Sequence, residues 1–484
     1  MAHTPQKNET IQSHTIDTGC LNGYRFRSVV LPLQAAERNK PPDRLNILFI
    51  AIDDLRPQLG CYGHDEIHSP QIDKLAAQGT LFERAYANSP VCGASRLSVL
   101  TGIRAHPNQW ETKDMSEEFT TLPAHFKNHG YHAVSIGKVF HKMHDREADW
   151  SVPPWRSAAI YHGEKDWAGY NHYGIWQNPE SAEHISAKKR GPYRESAEVG
   201  DDAYQDGKVA DKTIAELKQL KQQDKPFFLA CGFWRPHLPF NAPKKYWDLY
   251  QREDIALAPN RYKPENLPRV SGTSDEFDGY ALTGERMTTD EFHREARHAY
   301  YACVSYADAQ VGKIIEELDT LGLAENTIIV LWGDHGYHLG EHGFWGKHNT
   351  LDHSLHSPLI VLAPGNKKNT RTRGLVEFID LYPSLCELAG LPVPNHVQGR
   401  SFAPLMTDPE QAWKSSLFVN WWGCKAVKTD RYLYTEWRKD GTITHRMLFD
   451  HELDPMENIN IADKPHAKPV IDRLSALLEP QWER

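Results

Sequence analysis

The sequence predicts an α/β protein: a large three-layer α/β/α domain around a mixed, mostly parallel sheet, then a smaller C-terminal α+β subdomain with an antiparallel sheet. Three observations predict it. Apolar runs of strand length alternate with patterns of helical period along most of the chain. Several of those runs stop at polar clusters, as strands do at the ligand-binding edge of an open α/β sheet. From about Ser415 strand patterns follow one another closely.

The elements follow in order. Residues 1–43 read as a leader or an extended N-terminus, 44–410 as the large domain and 411–484 as the C-terminal subdomain. In the leader, Arg25-Phe26-Arg27 precedes Val29-Val30-Leu31, but this apolar stretch is short and far from the N-terminus, so it makes no clear signal peptide. The run 45–52 is apolar at nearly every position, which suits a strand buried on both faces. Similar runs fall at 133–136, 227–232, 327–332 and 359–363. Helical patterns fall between them, over 69–78, 121–129, 202–220, 302–321 and 379–388. The C-terminal strands are expected over 417–422, 425–437 and 442–449, with a helix near 467–478. Residues 150–204 are polar and aromatic with weak periodicity and read as long loops. Trp150, Trp155, Tyr161, Trp167, Tyr170, Tyr173 and Trp176 either stack on a sugar or anchor those loops.

Bulk properties bound the function. With 484 residues the chain is long enough for two or three domains, and 40% hydrophobic with 25% charged residues is ordinary for a globular protein. A formal charge of -9 excludes nucleic acid as the main partner, because phosphate recognition needs a basic footprint. A site for an anion must then be a local basic pocket on an acidic body. The 7 cysteines include no C-x-x-C pair, which argues against a zinc or redox motif. No segment is long and apolar enough to span a membrane.

The polar clusters carry the chemistry. Asp53-Asp54 closes the first strand; alone it reads as a turn or a helix cap, but two adjacent carboxylates also suit a hard divalent cation. Cys92-Gly93-Ala94-Ser95-Arg96 precedes Leu100-Thr101-Gly102, with a helix starting around Ser95 whose N-terminus favours anions. Gly137-Lys138-Val139-Phe140-His141, Trp234-Arg235-Pro236-His237 and Gly333-Asp334-His335-Gly336 each follow a predicted strand. Leu339-Gly340-Glu341-His342-Gly343, with Lys347 beyond, comes next. Any one of these has a bland alternative as a turn or a solvated loop; their order along the chain makes accident improbable.

Together these strings resemble the type I sulfatases of the alkaline phosphatase superfamily, over about 46–458, and among them the iduronate-2-sulfatase-like branch, which shares Asp-His at 334–335 and the Gly-Lys-Val-Phe-His string. The resemblance implies hydrolysis of sulfate monoesters, with an O-sulfated carbohydrate such as a sulfated uronic acid as substrate. It implies that Cys92 is converted to formylglycine by a formylglycine-generating or an anaerobic sulfatase-maturating enzyme. It implies Ca²⁺, rather than Mg²⁺, held by Asp53, Asp54, Asp334, His335 and modified Cys92. It places Arg96, Lys138, His141, His237 and Lys347 in catalysis, with His237 as general acid, and Trp234, Arg235 and His342 at the substrate. Arg235 stands where relatives often have lysine, a different hydrogen-bonding geometry. The family also favours a periplasmic or secreted location. Two other functions fit parts of the pattern: a phosphate or phosphonate monoester hydrolase of the same superfamily, and a non-catalytic protein that binds sulfated glycans. A positioned acid at His237 argues against the last.

Overall fold

Strand β1, Asn46–Ile52, is an interior strand of a seven-stranded sheet. This computed structural model describes residues 44–105, 119–141, 145–156, 192–272, 276–277, 280 and 287–482. Side chains alternate across a strand, so a run that is apolar at every position needs cover on both faces. β1 has it: Leu48, Ile50 and Ile52 enter one apolar cluster, while Ile47, Phe49 and Ala51 enter another.

The other strands are β2 (Thr80–Phe82), β3 (His132–Gly137), β4 (Phe227–Phe233), β5 (Thr327–Gly333), β6 (Leu359–Leu362) and β7 (Thr370–Thr372). Their order is β7-β2-β6-β5-β1-β4-β3. All run parallel to β1 except β6. The first cluster is completed by α1 (Pro70–Gln78), α4 (Gln205–Leu220) and α5 (Asp290–Thr320). The second is completed by α2 (Cys92–Thr101), α3 (Leu122–Asn128) and α6 (Leu381–Leu388). These are the three expected layers.

Boundaries differ where local signals outweigh periodicity. α5 starts at Asp290, well before the expected 302, because the Thr289 hydroxyl accepts the Phe292 N–H and caps it there. α2 starts at Cys92 itself, not near Ser95. The three-residue strands β2 and β7 are too short to show a period.

Beyond the large sheet, β8 (Ser416–Trp421), β9 (Cys424–Thr429), β10 (Tyr432–Lys439) and β11 (Thr442–Asp450) form an antiparallel meander. The single strand expected over 425–437 is two, divided at Asp430-Arg431. α7 (Lys468–Trp482) lays Ile471, Leu474 and Leu478 on Val427, Tyr434 and Leu448 of this sheet.

Of the aromatic loop residues, Trp150 is buried and its indole N–H donates to the Asp145 carbonyl, and Trp155 packs on the core beside Ile136. Both anchor their loop. Tyr161, Trp167, Tyr170, Tyr173 and Trp176 lie outside the described residues, as does the leader 1–43. No helix among the described residues is long and apolar enough to cross a membrane.

Candidate active site

The carboxyl ends of β5, β1, β4 and β3 are neighbours, and the residues that follow them start side by side. The Asp334 N–H donates to the Ile52 carbonyl, Asp53 N–H to Phe233 and Lys138 N–H to Gly232, at 3.2, 3.2 and 2.8 Å. β3 and β4 approach so closely here that a Cβ on Gly232 would collide with the Lys138 backbone, so only glycine fits. Residues far apart in sequence thus leave the sheet at one place, where α2 presents its first residue, Cys92.

Asp53, Asp54, Cys92 and His237 offer ligand atoms within 4.8 Å of one another, and so do Cys92, Asp334 and His335. Asp53, Asp54, Asp334, His335 and Arg96 are wholly buried. Arg96 Nε donates to Asp334 at 2.8 Å, one terminal nitrogen to Asp53 at 3.2 Å, and the other to the carbonyls of Lys138 and Val139. These bonds brace the two carboxylates. The Asp54 backbone has φ 58, a left-handed conformation that strains a non-glycine residue; its N–H bonds Asp334 at 3.0 Å and its carbonyl accepts the Tyr300 hydroxyl at 2.8 Å.

Two lysines lean on the pair. Lys138 Nζ contacts Asp53, and Lys347 Nζ donates to both oxygens of Asp54 at 2.7 and 2.8 Å. Burial alone would raise the Asp53 carboxyl, but Lys138, His237 and Arg96 hold it well below the usual range. Burial wins at Asp54, whose carboxyl is pushed up despite Lys347. Burial, with Asp53 beside it, raises the Cys92 thiol. Burial also lowers His335 to about 4, so its imidazole is neutral near pH 7. His335 Nδ1 donates to the Gly336 carbonyl at 2.9 Å, which leaves the Nε2 lone pair facing Cys92 Sγ at 3.2 Å and Asp54 at 3.4 Å. His141 is buried, and its charged neighbours are Lys138, Asp53, Arg96 and Lys347.

The donor set fits a hard divalent cation: the two groups, joined at Cys92, offer three carboxylates and the neutral imidazole of His335, with few soft ligands. The charge balance fits too. Asp53, Asp54, Asp334 and Glu276 face Arg96, Lys138 and Lys347, one negative charge in excess. A bound divalent ion makes the pocket positive and suited to an anion.

Residues 45–391 match the sulfatase family model, and 340–483 match the model of the N-sulphoglucosamine sulphohydrolase C-terminal region. The chain belongs to the sulfatase family. It is a hydrolase of sulfuric esters. It is 36% identical to iduronate 2-sulfatase of Mus musculus over 415 residues, covering 76% of this chain and 73% of that one. It is 32% identical to a sulfatase of Formosa agariphila over 463 residues, 91% of this chain and 87% of that one. In fold it resembles a phosphonate monoester hydrolase of Silicibacter pomeroyi, with TM-score 0.70 at 23% identity over 90% of this chain and 95% of that one.

Three residues of this sulfatase expected at the substrate are placed differently from one another. The Trp234 ring is buried, with Lys138 Nζ 4.9 Å and the Arg156 guanidinium 5.8 Å from its centre. The Arg235 guanidinium turns back onto the His237 carbonyl at 2.5 Å, so it braces the histidine's loop. His342 is not at the site: it is wholly buried, with Nε2 on the Met456 carbonyl at 2.7 Å and Nδ1 3.4 Å from His338. Its string makes a tight turn, with His342 at φ 57. Sequence reasoning missed Glu276, 2.7 Å from Lys347, and Asp206, whose carboxylate accepts the Trp234 and Arg235 N–H groups at 2.9 and 2.8 Å. Neither lies in a motif, and no local signal points to them.

Proposed function

We propose that this sulfatase removes sulfate from an O-sulfated saccharide, a sulfated uronic acid in a glycosaminoglycan being the first candidate, with Cys92 matured to formylglycine and Ca²⁺ as the ion. The observation that carries it is the burial of Cys92 where two groups of candidate ligands meet, Asp53 with Asp54 and Asp334 with His335, flanked by Lys138 and Lys347. The similarity to iduronate 2-sulfatase supports the sugar. The carboxylate donors favour Ca²⁺ over softer ions.

Hydrated formylglycine supplies two hydroxyls on one carbon, one to attack sulfur and one whose ionisation expels the product. Bound Ca²⁺ offsets the charge on the sulfuryl oxygens. The chain's residues do the rest. Arg96 fixes Asp53 and Asp334 in place. Lys138 and Lys347 hold positive charge where the sulfuryl group sits and stabilise it in the transition state. As the S–O bond to the sugar breaks, His237 Nε2–H gives its proton to the leaving oxygen, while Nδ1, 2.5 Å from the Leu238 carbonyl, keeps the ring oriented. His141, which burial and the neighbouring Lys138 keep neutral, takes the proton of the second hydroxyl when sulfate departs.

The test is sulfate release from a panel of defined sulfated saccharides, with phenyl phosphonate and phosphate monoesters alongside. The proposal expects release from at least one 2-O-sulfated uronic acid saccharide. Turnover confined to the phosphorus esters would overturn it.

A further inference from the structure

The geometry points to a second anion-binding pocket, away from Cys92, that takes a saccharide residue carrying sulfate or carboxylate groups. The cavity has a volume of about 540 Å³ and lies where the large domain meets the C-terminal sheet. None of the residues gathered around Cys92 lines it. The volume is that of a small-ligand site.

Its charge is the first reason. The lining carries five permanent cations, Arg56, Arg84, Arg371, Arg373 and Lys428, against three carboxylates, Glu83, Asp352 and Asp430. That is a local surplus of positive charge on a chain of net charge -9. The surplus is concentrated at the mouth. Arg371 and Arg373 share the single carboxylate of Glu83, at 3.5 and 3.4 Å, and their side chains are 50% and 76% exposed. Arg371 also donates to the Cys61 carbonyl at 2.8 Å, but two guanidiniums on one carboxylate still leave an excess of positive charge, and the planar fork suits sulfate and carboxylate oxygens.

The floor is the second reason. Lys428 is 3% exposed; it lies 3.1 Å from Asp352 and 5.2 Å from the centre of the Tyr86 ring. His356 stacks on the Tyr86 ring, with centroids 4.8 Å apart and planes at 20°, and its side chain is 22% exposed. Tyr86 itself is covered, so the aromatic surface left to the cavity is that of His356, which Tyr86 holds in place; with the cations it matches the two parts of an anionic sugar, an apolar ring and charged substituents. That the anion is a saccharide rests on the proposed function; the surplus of charge does not. Such a pocket holds one part of a polyanionic chain while another part is at Cys92.

The test is calorimetric titration of the full chain carrying Cys92→Ala, so that the probe is not consumed, with a trisulfated heparin-type disaccharide. The Arg371→Gln/Arg373→Gln double variant is compared with Arg373→Gln alone, which removes only the exposed member. Binding is expected to weaken by about tenfold in the double variant, the scale of one lost charge-assisted hydrogen bond, and by less in the single one. On a background that retains Cys92, both variants should hydrolyse nitrophenyl sulfate at the unaltered rate. The desulfated disaccharide, which keeps only its carboxylate, should bind this site more weakly than the trisulfated one. Binding that ignores both variants would overturn the pocket. Inorganic sulfate binding as tightly as the disaccharide would overturn its assignment to a saccharide. Absence of all sulfatase turnover would overturn the proposed function alone, since the titration does not depend on it.

Discussion

Asp54 concentrates the chemistry of the site in one residue. Its strained backbone, its bond to Asp334, its two contacts with Lys347 and its nearness to Cys92 all follow from where β1 stops. The pairing of Asp53 with Asp54 was legible because like charges side by side need a reason. The role proposed for His237 rests on its position in a string, and its test is at this scale. A general acid matters most when the departing oxygen is basic. His237→Ala should therefore slow hydrolysis of a sulfated sugar by roughly 10²–10⁴-fold and that of nitrophenyl sulfate far less. Lys138→Ala and Lys347→Ala should slow both, because they act on the sulfuryl group. Equal loss on both substrates for His237→Ala would move the acid's role elsewhere. His342 shows the limit of reading a string: a histidine among glycines looked available, yet the turn it helps to make buries it.

At the scale of elements, the buried apolar strands β1, β4 and β5 were plain, since seven consecutive buried positions leave a long apolar run. The break between β9 and β10 and the early start of α5 were not, because each is set by one or two residues. The joints between elements were the least visible. Glu377 receives Arg104, just past the end of α2, at 3.1 and 2.6 Å, Lys414 at 2.8 Å and the Phe418 N–H of β8 at 2.8 Å, tying the helix that carries Cys92 to the C-terminal sheet. Burial opposes its charge, but Lys414 and Arg104 pull its carboxyl from 4.5 down to about 2. A depressed folded-state value means the contribution is whole above 4.5 and is lost as pH falls towards 2. Glu377→Gln should cost about 3 kcal/mol at neutral pH, the scale of unpairing buried charges, and should flatten the fall in melting temperature below pH 4.5. A melting temperature unchanged at neutral pH would contradict this.

At the scale of the whole molecule, the order of the motifs gave the fold class and the enzyme class, because sheet topology brings strand ends together whatever their spacing in sequence. Specificity was not legible, since it depends on loops and on surface charge that no local pattern records. The proposed metal would be held by the assembled site. Dialysis against a chelator should abolish sulfate-ester turnover, and Ca²⁺ should restore it better than Zn²⁺. Undiminished turnover in protein shown by elemental analysis to be metal-free would contradict the ion's place in the account. The central claim is that the buried Cys92 thiol is not itself the nucleophile. Peptide mass spectrometry of several preparations, each assayed for turnover, tests it most directly. Turnover should rise in proportion to the fraction of Cys92 present as aldehyde or hydrate and vanish where only thiol is found; full activity in a preparation with unmodified Cys92 would contradict the account.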